Sequence, residues 1–270
     1  MLEQVRDLRE EGDELYELLK TLDASVWAQS TPFKSWTVQE VVEHLHFSDR
    51  LAVLSLESDQ EFLNAAQAMG RAIMQEGLDL KAIARREIGS LAPGELLRRW
   101  RDCFVAMCEL LGAADPKARL KWFGPDMGVR MFATARQMET WAHGQDVYDL
   151  LRRPRVYTDR LKNIAVIGVR TFGWTFANRG LPVPPNIPYL RLTAPSGEIW
   201  EWNPPSEDNR VEGLASEFCH VVTQGRNIAD TRLRVVGETA TRWMAIAQCF
   251  AGGPEAPPEP GQRTGGRVRL

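Results

Sequence analysis

Apolar residues in the first half of the chain recur at helical spacing. Leu2, Val5, Leu8, Leu15, Leu18, Leu19 and Leu22 form one stripe with charge on the other face, which predicts a helix over residues 2–22. Residues 23–34 contain Pro32 and several small polar residues and read as a loop. Thr37 followed by Glu40 three residues on is a capping box, so a helix starts there and runs through Val41, Val42, Leu45, Phe47 and the apolar positions of residues 51–56. Residues 59–77 form a further helical stretch of mixed pattern, and the charged residues 78–90 predict no element. Pro93 suits a first helical turn, and Leu96, Leu97, Trp100, Phe104, Met107, Leu110 and Leu111 make the core stripe of the helix it opens, with Gly112 as a stop. Residues 113–128 hold Trp122 and Phe123 among prolines and glycines and read as an ordered loop. The next helix runs from about Val129 to Leu151. Four long helices with one long connection predict a four-helix bundle.

The pattern changes after the basic, Pro154-containing residues 152–155. Residues 158–180 predict one helical run, in which Gly168 and Gly173 suit close packing; no GxGxxG pattern follows a strand. Residues 181–188 form a stiff, proline-rich linker. Residues 189–194 and 198–202 alternate as two strands around a turn at Pro195, Ser196 and Gly197. Residues 214–224 predict a helix, 233–236 a strand and 239–250 a final helix. The rest is rich in Pro, Gly and Arg and predicts a flexible tail. The expected organisation is therefore a helical domain over residues 1–151, an α+β domain over 152–252 and a tail over 253–270.

Composition narrows the partners. Of 270 residues 44% are hydrophobic and 26% charged, enough for a packed core. A net charge of −3 argues against a general polyanion binder, so no nucleic acid is expected. No apolar run approaches the ~18 residues of a membrane span, and the acidic N-terminus lacks the features of a signal peptide. Cys103, Cys108, Cys219 and Cys249 show no CxxC spacing. They predict buried, reduced thiols in a cytoplasmic protein.

The candidate chemistry sits on the fourth long helix. Glu139 and His143 are four residues apart and leave the same helix face, where a carboxylate and an imidazole can ligate a divalent cation. Ordinary solvated helices carry the same pair. Asp146 and Asp149 extend the polar line. His44 and His46, two residues apart, point in different directions. His44 falls on the inner side of its helix, where a core histidine bonded to a neighbour is the plainer reading, and His46 is expected to be partly exposed or to support the site. Taken together, His44, Glu139 and His143 make two imidazoles and one carboxylate with coordination positions left open, the arrangement of catalytic zinc.

Trp36-Thr37-Val38 leading to His44-Leu45, and Glu139-x-x-x-His143-Gly144-x-Asp146, resemble the motifs of the DinB-like metal-binding fold. More narrowly they are similar to the mycothiol-dependent maleylpyruvate isomerase family of actinobacteria and its relatives, including those labelled as related to wyosine base formation. The resemblance implies an N-terminal DinB-like four-helix bundle with a smaller C-terminal sterol-carrier-like α+β domain. It implies that His44, Glu139 and His143 bind a divalent metal, zinc as a rule. Gly225-Arg226 is the most recognisable piece of the second domain. There the resemblance implies a positively charged catalytic side chain, for which Arg226 is the candidate, suited to holding a substrate carboxylate. Arg226 reads equally as an arginine facing helix C-terminal carbonyls, and His220 as a structural residue.

The leading expectation is a metal-dependent thiol enzyme. Mycothiol would be the cosubstrate and a small electrophile the substrate, with isomerisation or S-transfer as the outcome and no need for the chain's own cysteines. Two other readings stay open. One is metal-assisted hydrolysis with Glu40, Asp49 or Asp146 as base. The other is a non-catalytic, metal-stabilised bundle that binds a small ligand through its C-terminal module.

Overall fold

A computed structural model describes residues 2–263. The chain divides into two compact units, Met1–Val147 and Tyr148–Leu270. The class is α+β: helices dominate, with a small sheet in the second unit.

The first unit is built on α1 (Glu3–Leu19), α3 (Val38–Glu57), α6 (Pro93–Ala113) and α7 (Val129–Leu151) as far as Val147, with a short α2 (Ala24–Trp27). α3 packs on α6, and α6 on α1. Leu8, Leu15, Val41, Leu45, Trp100, Phe104, Phe132 and Trp141 fill the core. Gly12 permits the close approach of α1 to α6, because a Cβ there would come within 2.2 Å of the Phe104 ring. The capping box is formed as expected: Glu40 N–H donates to Thr37 Oγ1 (3.1 Å), and Thr37 N–H donates to Glu40 Oε2 (2.8 Å).

The ambiguous residues between α3 and α6 form α4 (Asp59–Glu76) and α5 (Leu80–Ile88). Ser58 and Asp79 cap their starts, and Gly77, at φ 69°, ends α4. α4 fully buries only Phe62 and Ala72, which explains its mixed apolar pattern. The expected loop before α7 contains a short hairpin of β1 (Arg119–Leu120) and β2 (Met127–Gly128). Trp122 beside it stacks on Phe62 and meets Phe132 edge-on.

In the second unit the expected helix over residues 158–180 is two helices, α8 (Leu161–Arg170) and α9 (Phe172–Ala177). They part at Thr171, whose hydroxyl donates back to the carbonyls of Ile167 and Gly168. Such back-bonding bends a helix. Gly168 lies where a Cβ would meet Val222 at 2.9 Å, so α8 and α10 (Ala215–Val222) pack closely. The sheet has the order β4-β3-β5-β6. The expected hairpin is β3 (Tyr189–Thr193) with β4 (Ile199–Trp202). β5 (Arg210–Leu214), which the sequence pattern did not reveal, pairs parallel with β3 and antiparallel with β6 (Arg234–Val236). α11 (Glu238–Ile246) closes the regular structure. Leu190, Leu192, Val211, Phe218, Phe172, Phe176 and Trp243 make this core.

Residues up to Arg263 in the stretch expected to be a flexible tail make ordered contacts within the same unit. Gln224 Nε2 donates to the Glu255 carbonyl (2.9 Å), and Asn227 Nδ2 to that of Pro258 (2.8 Å). Arg263 is buried and donates to the Gln224 carbonyl (3.0 Å). The remaining tail positions, 264–270, lie outside the described residues. Among the described residues no helix is long and apolar enough to cross a membrane.

Candidate metal centre

α3 and α7 bring three side chains of the first unit together. His44 leaves the second turn of α3, while Glu139 and His143 leave one face of α7. Ligand atoms of all three lie within 4.8 Å of one another. His44 Nε2 is 3.5 Å and His143 Nε2 3.7 Å from the same carboxylate oxygen, Glu139 Oε2. Their ring centroids are 4.8 Å apart at 68°. The two ε nitrogens thus face one carboxylate oxygen, as ligands of a single ion would.

The other ring nitrogen of His143 has its own partner. His143 Nδ1 is 3.1 Å from Asp146 Oδ2, one turn further along α7. A carboxylate there favours the tautomer with the proton on Nδ1, which leaves the Nε2 lone pair turned toward Glu139. A carboxylate in this place is a recurrent support for a metal-binding histidine.

Electrostatics match the same use. Burial, reinforced by the positive potential of His143 and Arg136, holds the His44 imidazole below its ordinary pKa against the opposing pull of Glu139. A neutral imidazole is the form that ligates a cation. Burial alone would raise the Glu139 carboxyl. The hydrogen bond with His44 and the favourable electrostatics of the His143, His44 and Arg136 side chains outweigh it and keep the carboxyl well down in its ionised range. A neutral imidazole and a half-buried carboxylate that converge with a second imidazole fit a divalent cation.

Arg136 is itself anchored. Its Nη2 and Nε donate to Asp49 Oδ1 at 2.8 and 3.1 Å, and Trp100 Nε1 donates to Asp49 Oδ2 at 3.0 Å. Both charges are almost fully buried. This pair fixes α7 to α3 one turn before Glu139, and the sequence analysis did not identify it. It also occupies Asp49, one of the three candidate bases. Glu40 is engaged by the α3 cap and by Lys81 Nζ at 3.3 Å, and Asp146 by His143.

An aromatic wall closes one side. Trp36 lies parallel to the His143 ring (5.9 Å, 4°) and edge-on to His44 (5.4 Å, 66°). Phe33 meets His143 edge-on at 5.1 Å. In the sequence Trp36-Thr37-Val38 marks a helix start and a family motif, and neither signals this wall.

The remaining candidates lie elsewhere. His46 is buried, not partly exposed as expected, and takes no part in the cluster. Burial and the charges of Arg50 and Arg99 push its pKa down to about 4. In the second unit, Arg226 makes a two-pronged pair with Asp149, Nη1 to Oδ2 and Nη2 to Oδ1, both 2.7 Å. Its Nη1 also reaches the Gly225 carbonyl (2.7 Å). His220 is buried, with Nε2 2.8 Å from the Tyr157 hydroxyl, as suits a structural histidine. Cys108, Cys219 and Cys249 are buried and Cys103 half-buried. Burial pushes the Cys103 and Cys108 thiols up to about 12 and raises Cys219, so none of these three supplies a thiolate at neutral pH.

Comparison with known proteins gives the family and the fold. Over 254 residues the chain is 41% identical to an uncharacterised protein found in two strains of Mycobacterium tuberculosis, covering 93% of this chain and 96% of that protein. The fold matches crystal structures of the mycothiol-dependent maleylpyruvate isomerase and of a histidine-to-alanine mutant of it. Each match has a TM-score of 0.51 at 14% identity and covers 81% of this chain and 87% of the other. The family described as the mycothiol maleylpyruvate isomerase N-terminal domain matches residues 8–148, the stretch that carries all three converging side chains. The chain belongs to that mycothiol maleylpyruvate isomerase family.

Proposed function

We propose that this protein is a divalent-cation-dependent thiol enzyme that uses mycothiol to isomerise, or to add sulfur to, a small electrophile. The observation that carries the reading is the convergence of His44, Glu139 and His143 within 4.8 Å, inside the stretch that matches the isomerase family. These three residues would hold the cation, with zinc the best match to two imidazoles and one carboxylate. When bound, such a cation supplies Lewis acidity that favours a thiolate over a thiol at neutral pH.

The chain's own residues supply the rest. Asp146 holds the Nδ1 proton of His143 and so presents Nε2. Arg136, locked by Asp49, keeps positive potential beside Glu139. Trp36 and Phe33 exclude water from one side of the cluster. In this reading the nucleophile is the thiol of the cosubstrate, and burial holds Cys103, Cys108 and Cys219 of the chain itself protonated. The thiolate adds to one end of a conjugated double bond, which becomes a single bond and rotates. Expulsion of the same thiolate restores the double bond in the other geometry, and the thiol is regenerated. Where no expulsion follows, the product is the thioether.

Arg226 is our candidate for holding a substrate carboxylate. A guanidinium presents the right fork, and a substrate would exchange with Asp149, the carboxylate it grips now. Screening the metal-loaded full chain against conjugated electrophiles, maleylpyruvate first, with and without mycothiol tests the function. Mycothiol-dependent turnover is expected. Thiol-independent hydrolysis, or intact metal without turnover, would overturn the proposal.

A further inference from the structure

We infer that Trp36 is a positioning residue of the candidate metal centre: its indole sets the planes of both imidazoles and keeps that side of the cluster dry. The inference rests on the metal reading above and goes beyond it, since the ligand set itself does not include this side chain.

Trp36 is held by a closed loop. The Ser30 and Thr37 backbones pair as an isolated antiparallel bridge, Thr31 N–H donates to the Trp36 carbonyl (2.7 Å), and Trp36 N–H donates to that of Phe33 (2.8 Å). At the tip, Lys34 (φ 47°) and Ser35 (φ 56°) are both left-handed. Two consecutive non-glycine residues there are strained, and such strain persists only where the surroundings impose it. The consequence is visible: the loop doubles back, and Phe33 and Trp36 meet edge-on at 5.1 Å on the same side as the cluster.

The ring geometry is specific. Trp36 is parallel to His143 within 4° but steeply inclined to His44, and the two imidazoles are themselves 68° apart. One indole thus contacts two imidazoles in two orientations, and removing it takes away a restraint on the terminal side-chain torsion of each, which is broad on its own. Lys81 Nζ stands 6.0 Å from the indole centroid and is tied to Glu40, so α5 and the α3 cap also meet this side chain. Asp146 restrains His143 through a hydrogen bond. For His44 the indole edge is the matching restraint.

The test uses Zn2+ and Co2+ as probes on the full chain, with Trp36→Phe, Trp36→Leu and Trp36→Ala. Zn2+ affinity is read by competition with a chromophoric chelator, geometry by the Co2+ absorption spectrum, and folding by thermal unfolding of the metal-free protein. Loss of a residue that orients a ligand typically weakens binding about tenfold or more, so Trp36→Leu and Trp36→Ala are expected to bind that much more weakly with an altered Co2+ spectrum. Trp36→Phe, which keeps an aromatic wall, is expected to stay near wild type. Should Trp36→Ala fail to fold, the contrast between Leu and Phe decides. Wild-type affinity and spectrum in Trp36→Leu would overturn this inference and leave the metal reading standing. No cation binding by the wild type would overturn both.

Discussion

His143 Nδ1 and Asp146 Oδ2 lie 3.1 Å apart on consecutive turns of one helix, so His143 offers Nε2, and only Nε2, to Glu139 and His44. Removing this bond should loosen the imidazole without removing a ligand. Asp146→Ala is expected to weaken Zn2+ binding roughly tenfold to hundredfold, with Asp146→Asn in between. Chelator competition checks this, and unchanged affinity in Asp146→Ala would refute the assigned tautomer.

Asp49 and Arg136 form the buried ion pair that positions Glu139. Removing one partner strands the other charge in the core, at a cost of about 3–5 kcal/mol. Asp49→Ala and Arg136→Ala should each lower the urea midpoint by that equivalent, while the double variant loses clearly less than the sum. Additive losses would show that the charges do not depend on one another.

Arg226 and Asp149 make a comparable pair in the second unit. If Arg226 also holds a substrate carboxylate, its loss removes a charge-assisted hydrogen bond of roughly 1.5–3 kcal/mol, a tenfold to hundredfold fall in kcat/KM. Arg226→Lys, which keeps charge but not the fork, should recover only part of it. Wild-type kcat/KM in a folded Arg226→Ala would leave the residue purely structural.

Acid should destabilise the metal-free protein through its buried histidines. Burial, with the charges of Arg50 and Arg99, pushes the His46 pKa down to about 4 from the ordinary 6.5, and burial also holds His220 well below 6.5. Above ~6.5 both are neutral folded and unfolded, and their contribution is complete. As pH falls below that value the unfolded chain takes up protons the folded chain excludes, so stability declines by at most about 1.4 kcal/mol per pH unit for each histidine. Urea midpoints at about pH 7.5 and about pH 5, with a chelator present, should differ in wild type and differ less in His46→Gln. Equal wild-type midpoints would contradict the burial argument.

Much of this site was legible in the sequence because helical spacing is a strong geometric statement. Glu139 and His143 share a face by arithmetic, and Thr37 with Glu40 marked the start of the helix that carries His44. Helix direction was a weaker guide: it separated His46 from His44 but did not show that a third face of α3 is also covered. What stayed hidden depends on tertiary contact. Asp49 and Arg136 are 87 positions apart, and nothing local in either helix announces their pairing. β5 carries Glu212 and Gly213 and lacks alternation, and it is a strand because β3 offers a parallel edge. Trp36 sits where sequence reasoning sees a cap, and only the left-handed turn at Lys34 and Ser35 folds its ring back onto the imidazoles.

The central claim is that His44, Glu139 and His143 hold one divalent cation, and metal stoichiometry tests it most directly. Elemental analysis of purified full-length protein after zinc loading and desalting should give about one equivalent per chain for wild type and for His46→Gln. It should give little or none for His143→Ala or Glu139→Ala. Equal stoichiometric zinc in wild type and His143→Ala would contradict the account.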